Sequence, residues 1–424
     1  MTEAIEITHA AHALPRARMA VLGALLVTTF SPALHAQTAA KPGTLRAADV
    51  LPPGLLRADS FAVADVVRND GLINTYQVTT RFGILTVEST ALLMKRLHEL
   101  RAIERMEQLR KSDVYANALR NSARAPVETA KGLITDPIET TEGVVTGVGR
   151  WFRDVGSAIT SDEPRRDGLA ESALGQSRAK RQFAFEFGVD PYSPFPPLQK
   201  ALDDVAWVAA GGSMTVSAAL TAIPGAVGTV ATTTKTASDM KNMVRDMTPS
   251  ELARVNEQKL ETMGVPQNIA YHFLRNPAYD PEEQTILIGE MESMGGVADR
   301  QLFIRKAASA MDEPTAVFNR VQAQMMAAYH ARMGRAARCI DAAGVVMLEK
   351  DDGTIVGLFP LDHIVWTAGV SQKERSVSTA LQGRGAAKSR EFWLTGTLDP
   401  SAQEGLTAAG WKVTPRAAER LFER

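Results

Sequence analysis

The chain contains a single cysteine, Cys339. No intrachain disulfide can form, and no zinc site built on several thiolates. Cys339 itself reads as a small, half-buried side chain. Aromatic residues are also scarce, at 6%. That disfavours a β-sandwich, because strands draw on aromatic and β-branched residues. Excess charge of either sign is missing: 47 basic and 48 acidic residues leave a net −1. No global basic field therefore invites nucleic acid.

The common catalytic motifs are absent as well. There is no HExxH helix, no GxSxG elbow and no phosphate loop ending in GK[ST]. Gly147-Val148-Gly149 opens like a dinucleotide loop, but Phe152 stands where a third glycine is needed. Asp351-Asp352-Gly353 lacks the alternating oxygen ligands of a calcium loop and reads as a hairpin turn. No metal and no cofactor is implied by any of these patterns.

What remains is a chain of 424 residues, 45% hydrophobic and 22% charged. That is ordinary globular composition, long enough for two or three domains. Abundant alanine favours helix. Arg16 and Arg18 precede an apolar core, Met19 to Phe30, and Ala33-Leu34-His35-Ala36 supplies small residues for cleavage. This is the pattern of a secretory signal over residues 1–36. The expected destination is periplasmic or extracellular, with membrane association as an alternative.

The sequence predicts a mainly α fold. A linker (37–60) leads to a helical, bundle-like domain (61–338) that opens with a β-hairpin at Thr75–Glu88. A small α+β module (339–424) follows. The central stretch is Val205–Thr234, thirty residues without a charge. Pro224-Gly225 divides it, so a glycine-rich helical hairpin over 205–245 is expected. It holds one Leu and one Ile among many Ala, Gly, Ser and Thr, so its drive to insert in lipid is weak. Trp151 and Phe152, flanked by arginines, and Trp207 are the candidate membrane-interface residues.

In the C-terminal module, residues 370–390 read as a Gly/Ser-rich loop. It carries Lys373, Arg375, Arg384, Lys388 and Arg390, a candidate anion-binding set. Asp362 and His363 are weak catalytic candidates, because neighbours on a strand point to opposite faces. The leading expectation is an exported, non-enzymatic cell-envelope protein that binds a protein partner, an envelope component or a membrane surface. The alternatives are a membrane-inserting or pore-forming protein using 205–234, and a periplasmic hydrolase with a site near His363.

Overall fold

The computed structural model describes residues 43–122, 167–210, 215–221, 234–384 and 387–422. All belong to the unit Ala39–Arg424. The signal segment 1–36, Trp151, Phe152, and residues 211–214 and 222–233 of the uncharged run lie outside the described residues.

The protein is mixed α/β, which corrects the mainly helical expectation. The first sheet is antiparallel and curled. It comprises β1 (Thr44–Arg46), β2 (Arg57–Ala58), β3 (Phe61–Val63), β4 (Val66–Asn69), β5 (Asn74–Thr80) and β6 (Gly83–Glu88). β5 is its spine. One side pairs with β6, and the other is shared by β4 at Asn74–Thr75 and β3 at Val78–Thr80. Only β5 and β6 were legible in the sequence. The other four strands run two to four residues, too short for a period of two to show. Residues 43–60, read as part of a linker, contain two of them.

Alternation on β5 buries Asn74, Tyr76 and Val78. Ser89 then turns the chain with φ 72, and its side chain accepts a hydrogen bond from the Leu92 N–H. This N-cap starts the Thr90–Arg110 helix. Leu93, Leu97, Leu100, Ile103 and Met106 recur every three or four residues and form one core with Tyr76 and Val78. The helices Asp167–Phe187 and Pro196–Ala210 add Phe183, Phe187, Leu198 and Leu202 to that core. Trp207 lies on the second of these helices and is 37% exposed.

The next stretch is helical: Lys235–Asp246, Pro249–Thr262, Gln267–Leu274, Pro281–Ser293, Gln301–Ala307 and Glu313–Arg332. Thr248, Asp280 and Asp312 each cap a helix through the side chain, with Pro in the first turn. Pro281–Ser293 and Glu313–Arg332 are the central pair, buried along most of their length. Among the described residues no helix is long and apolar enough to cross a membrane.

The C-terminal sheet has the order β13-β11-β9-β8-β7. β7 (Ala336–Ala342), β8 (Val345–Lys350) and β9 (Ile355–Phe359) form an antiparallel meander. β11 (Arg390–Leu394) and β13 (Trp411–Thr414) extend it in parallel. Parallel neighbours need crossovers, which helices usually supply. Ala368–Gln382 and Pro400–Ala408 are those helices. Residues 368–382 are therefore helix, where the sequence suggested a loop. Thr367 caps this helix, and Val377 and Leu381 fix its buried side. Its many serines blur the periodicity. β12 (Thr397–Leu398) leaves the sheet to pair with β10 (His363–Ile364).

Two faces follow from the alternation. Val346, Leu348, Val356, Leu358 and Trp393 pack with the Glu313–Arg332 helix. Met347, Ile355, Phe359 and Leu394 pack with the two crossover helices.

The departure at β12 depends on Gly396. Its N–H donates to the Leu361 carbonyl at 2.8 Å, and a Cβ there would overlap the Asp362 carbonyl oxygen. Backbone leaves no room to repack. Gly396→Ala is predicted to cost at least about 3 kcal/mol of stability, measured by urea unfolding. An unchanged midpoint would show that β10 and β12 do not need this approach.

Candidate functional site

Two cavities stand out, and their chemistry is opposite. The larger, of 390 Å³, lies where the Thr90–Arg110 helix meets the Gly188–Asp190 turn and the helices at Lys235–Asp246, Pro281–Ser293 and Glu313–Arg332. At its centre is Lys95. Its ammonium is 3.0 Å from Glu283, 3.4 Å from Asp280, 3.5 Å from Asp190 and 3.7 Å from Glu313. Beside it, Arg96 reaches Glu313 at 2.7 Å and Glu99 at 2.5 Å. Arg320 closes on the other oxygen of Glu283 at 2.5 Å.

Burial opposes charge on Lys95, but Glu283 and the other carboxylates outweigh it and hold its pKa well above the usual lysine value. Burial likewise opposes charge on Glu283, yet Arg320 and Lys95 pull its pKa down to about 2. Asp190 moves the other way, raised by burial and by the negative charge of Asp280 and Glu282. Asp280 serves twice: one oxygen caps its own helix at the Glu283 N–H, and the other faces Lys95. Each cation here faces at least one carboxylate, so the cluster fastens four segments of chain together.

The smaller cavity, of 230 Å³, lies in the C-terminal module between the sheet, the Ala368–Gln382 helix and the start of Glu313–Arg332. Its wall is mainly apolar: Val346, Met347, Phe359, Phe392, Val377, Leu406, Phe318 and Trp411 among others. Lys306 and Gln322 bring polar atoms to it. The Lys306 ammonium donates to Asn319 Oδ1 at 2.8 Å and to Gln322 Oε1 at 2.5 Å. It also lies 5.0 Å from the Phe318 ring centre and 5.4 Å from that of Phe303. Among the described residues no carboxylate reaches it. Burial alone pushes its pKa down to about 8.

The residues nominated from the sequence do not converge. Lys373 and Arg375 lie on the Ala368–Gln382 helix. The Lys373 ammonium donates to the Ala343 carbonyl at 2.7 Å, and Arg375 donates to Ser371 Oγ at 2.5 Å. Arg384 faces Glu349 at 3.6 Å, and Lys388 faces Asp352 at 3.2 Å. Arg390 donates to Ser378 Oγ at 3.0 Å and lies over the Trp411 ring. Of these five, Lys373 alone lines the apolar cavity.

Asp362 is buried and accepts the N–H groups of Asn74 and Thr90, joining the two sheets' ends. Burial pushes its pKa up to about 6. The His363 ring bonds Thr397 Oγ1 at 2.8 Å, and burial lowers its pKa. Cys339 is buried, with its thiol pushed up to about 12, which suits a packed side chain.

No family model, curated protein or solved structure matches this chain. Function is therefore read from the cavities, because a fold does not assign one. The sequence reading missed Lys306, Asn319 and Gln322. Their signal was present but faint: Asn319 and Gln322 fall three apart, next to Ala316 and Ala323 on the buried side of one helix. Polar residues at core positions mark either a structural network or a site.

One further carboxylate is fully buried. Glu290 accepts a hydrogen bond from the Thr234 hydroxyl, while Oε2 has no partner among the described residues. Burial pushes its pKa up to about 7. The unfolded value is about 4.3, so the folded state holds an extra proton between the two. The resulting stability is complete below about pH 4 and is lost as pH rises through 7. Glu290→Gln is predicted to remove this slope and to gain about 1–3 kcal/mol at pH 8. Urea midpoints across pH 5–8 measure it, and parallel curves for both proteins would refute the buried acid.

Proposed function

We propose that this chain is an exported, non-enzymatic binding protein of the cell envelope, and that its ligand site is the apolar cavity of the C-terminal module. The observation that carries this reading is the cavity itself: an apolar wall around one fixed polar cluster, the usual chemistry of a small-molecule site. The N-terminal signal pattern supports export. The residues nominated for catalysis are engaged otherwise, with Asp362 on two backbone N–H groups and His363 on Thr397. The internally paired charge cluster around Lys95 supplies a scaffold under this module. At 230 Å³ the cavity is below the usual range of about 300–1,000 Å³, so the ligand is small.

Met347 lines the cavity, and its methyl group serves as a reporter. Small aliphatic and aromatic molecules are predicted to give saturable shifts of that methyl resonance. Val345→Phe, which fills the cavity from its wall, should abolish them while the chain stays folded. If no molecule shifts Met347, or if the filled variant responds as the wild type does, the cavity is not the binding site.

A further inference from the structure

The polar cluster at the cavity is oriented. Gln322 Nε2 donates to the Leu358 carbonyl at 2.9 Å and to the Val346 carbonyl at 3.4 Å. With its nitrogen committed to two carbonyls, its oxygen must face Lys306. Asn319 Nδ2 donates to the Tyr279 hydroxyl at 2.8 Å, and that hydroxyl donates to the Ala307 carbonyl at 3.0 Å. Asn319 is thus fixed in the same sense. Two neutral amide oxygens, both buried, one anchored to backbone carbonyls and the other to the Tyr279 hydroxyl, receive two of the three N–H donors of the ammonium. The arrangement leaves one donor and one unit of positive charge.

Such a charge is costly in an apolar wall. A methionine or leucine would fill the same volume without the penalty. Elsewhere the chain surrounds a buried lysine with carboxylates, as at Lys95. At Lys306 it supplies none among the described residues, although Glu374 lines the same cavity. Glu374 is turned to other partners: its Oε1 accepts from Trp411 Nε1 at 3.1 Å and from Ser378 Oγ at 2.5 Å. The missing anion is thus a group that the described residues do not provide. The enclosure is small, and with Lys373 on the Ala343 carbonyl beside the opposite charge of Glu374, Lys306 leaves a net single positive charge, so it fits a monoanion with few acceptor atoms. The apolar remainder of the wall fits a hydrocarbon tail.

We infer that the cavity takes a small monocarboxylate with an apolar tail, its carboxylate seated on the Lys306 ammonium. This inference depends on the reading that the cavity is a binding site, and the test separates the two. Hexanoate, hexanol and hexylamine are titrated into the full chain, with the Met347 methyl as reporter. The expected result is hexanoate binding at least about tenfold tighter than hexanol, and hexylamine weaker than both, a difference of about 1.4 kcal/mol or more. Lys306→Met should bring hexanoate and hexanol to equal affinity, Lys306→Arg should keep the preference, and Lys412→Met, at an exposed lysine outside the cavity, should leave it unchanged. Equal wild-type binding of hexanoate and hexanol would overturn the carboxylate assignment while leaving the cavity as a site. A preference that survives Lys306→Met, or is lost in Lys412→Met, would overturn the role of Lys306. No response to any of the three would overturn the inference and the site together.

Discussion

A buried ammonium among four carboxylates is the constraint on which the described structure depends. Lys95 belongs to the helix that carries the N-terminal core. Its partners belong to the turn after Asp167–Phe187 (Asp190) and to the two central helices (Asp280, Glu283 and Glu313). Removing one member leaves buried charge of the opposite sign unanswered, which is far costlier than losing a surface pair. The apolar cores alone tolerate small slides of helix on helix. An ion cluster with distances between 3.0 and 3.7 Å does not. Electrostatics thus sets the register of parts that hydrophobic burial only brings together.

The second part-buried lysine completes the contrast. Lys95 and Lys306 are both largely withdrawn from water, but the chain supplies anions to one and only amide oxygens to the other. Protonation follows: the first pKa is driven well up, the second down to about 8. In the Lys95 cluster every cation already faces carboxylates, so none is left to hold an anion. An under-neutralised amine in an apolar wall can hold one. The same rule of charge compensation thus separates scaffold from site within one chain.

Much of the helical part was legible in advance, for local reasons. Thr248-Pro249 and Asp399-Pro400 announce helix starts, and Leu93, Leu97, Leu100 and Ile103 announce a buried stripe. The β5–β6 and β8–β9 hairpins were legible from alternation. The first sheet was not, because strands such as Arg57–Ala58 exist only through their partners. The Ala368–Gln382 helix was hidden by its serines and is imposed by the parallel pairing of β9 and β11. The sites were harder still. Lys95 and Glu313 lie 218 positions apart, and Lys306 meets Asn319 and Gln322 only once two helices pack. A run of basic residues caught attention instead, and the structure scatters it onto separate carboxylates, hydroxyls and carbonyls.

The most direct measurement is equilibrium urea unfolding of Lys95→Met at pH 7 and again near pH 4.5. The account predicts a loss of about 3–5 kcal/mol at pH 7, because four carboxylates lose their shared cation. The loss should shrink at the lower pH, where Asp190 and Glu313, whose pKa values burial raises, are protonated. A variant within about 0.5 kcal/mol of the wild type at pH 7 would behave like a surface substitution, and would contradict the claim that this cluster sets the arrangement of the fold.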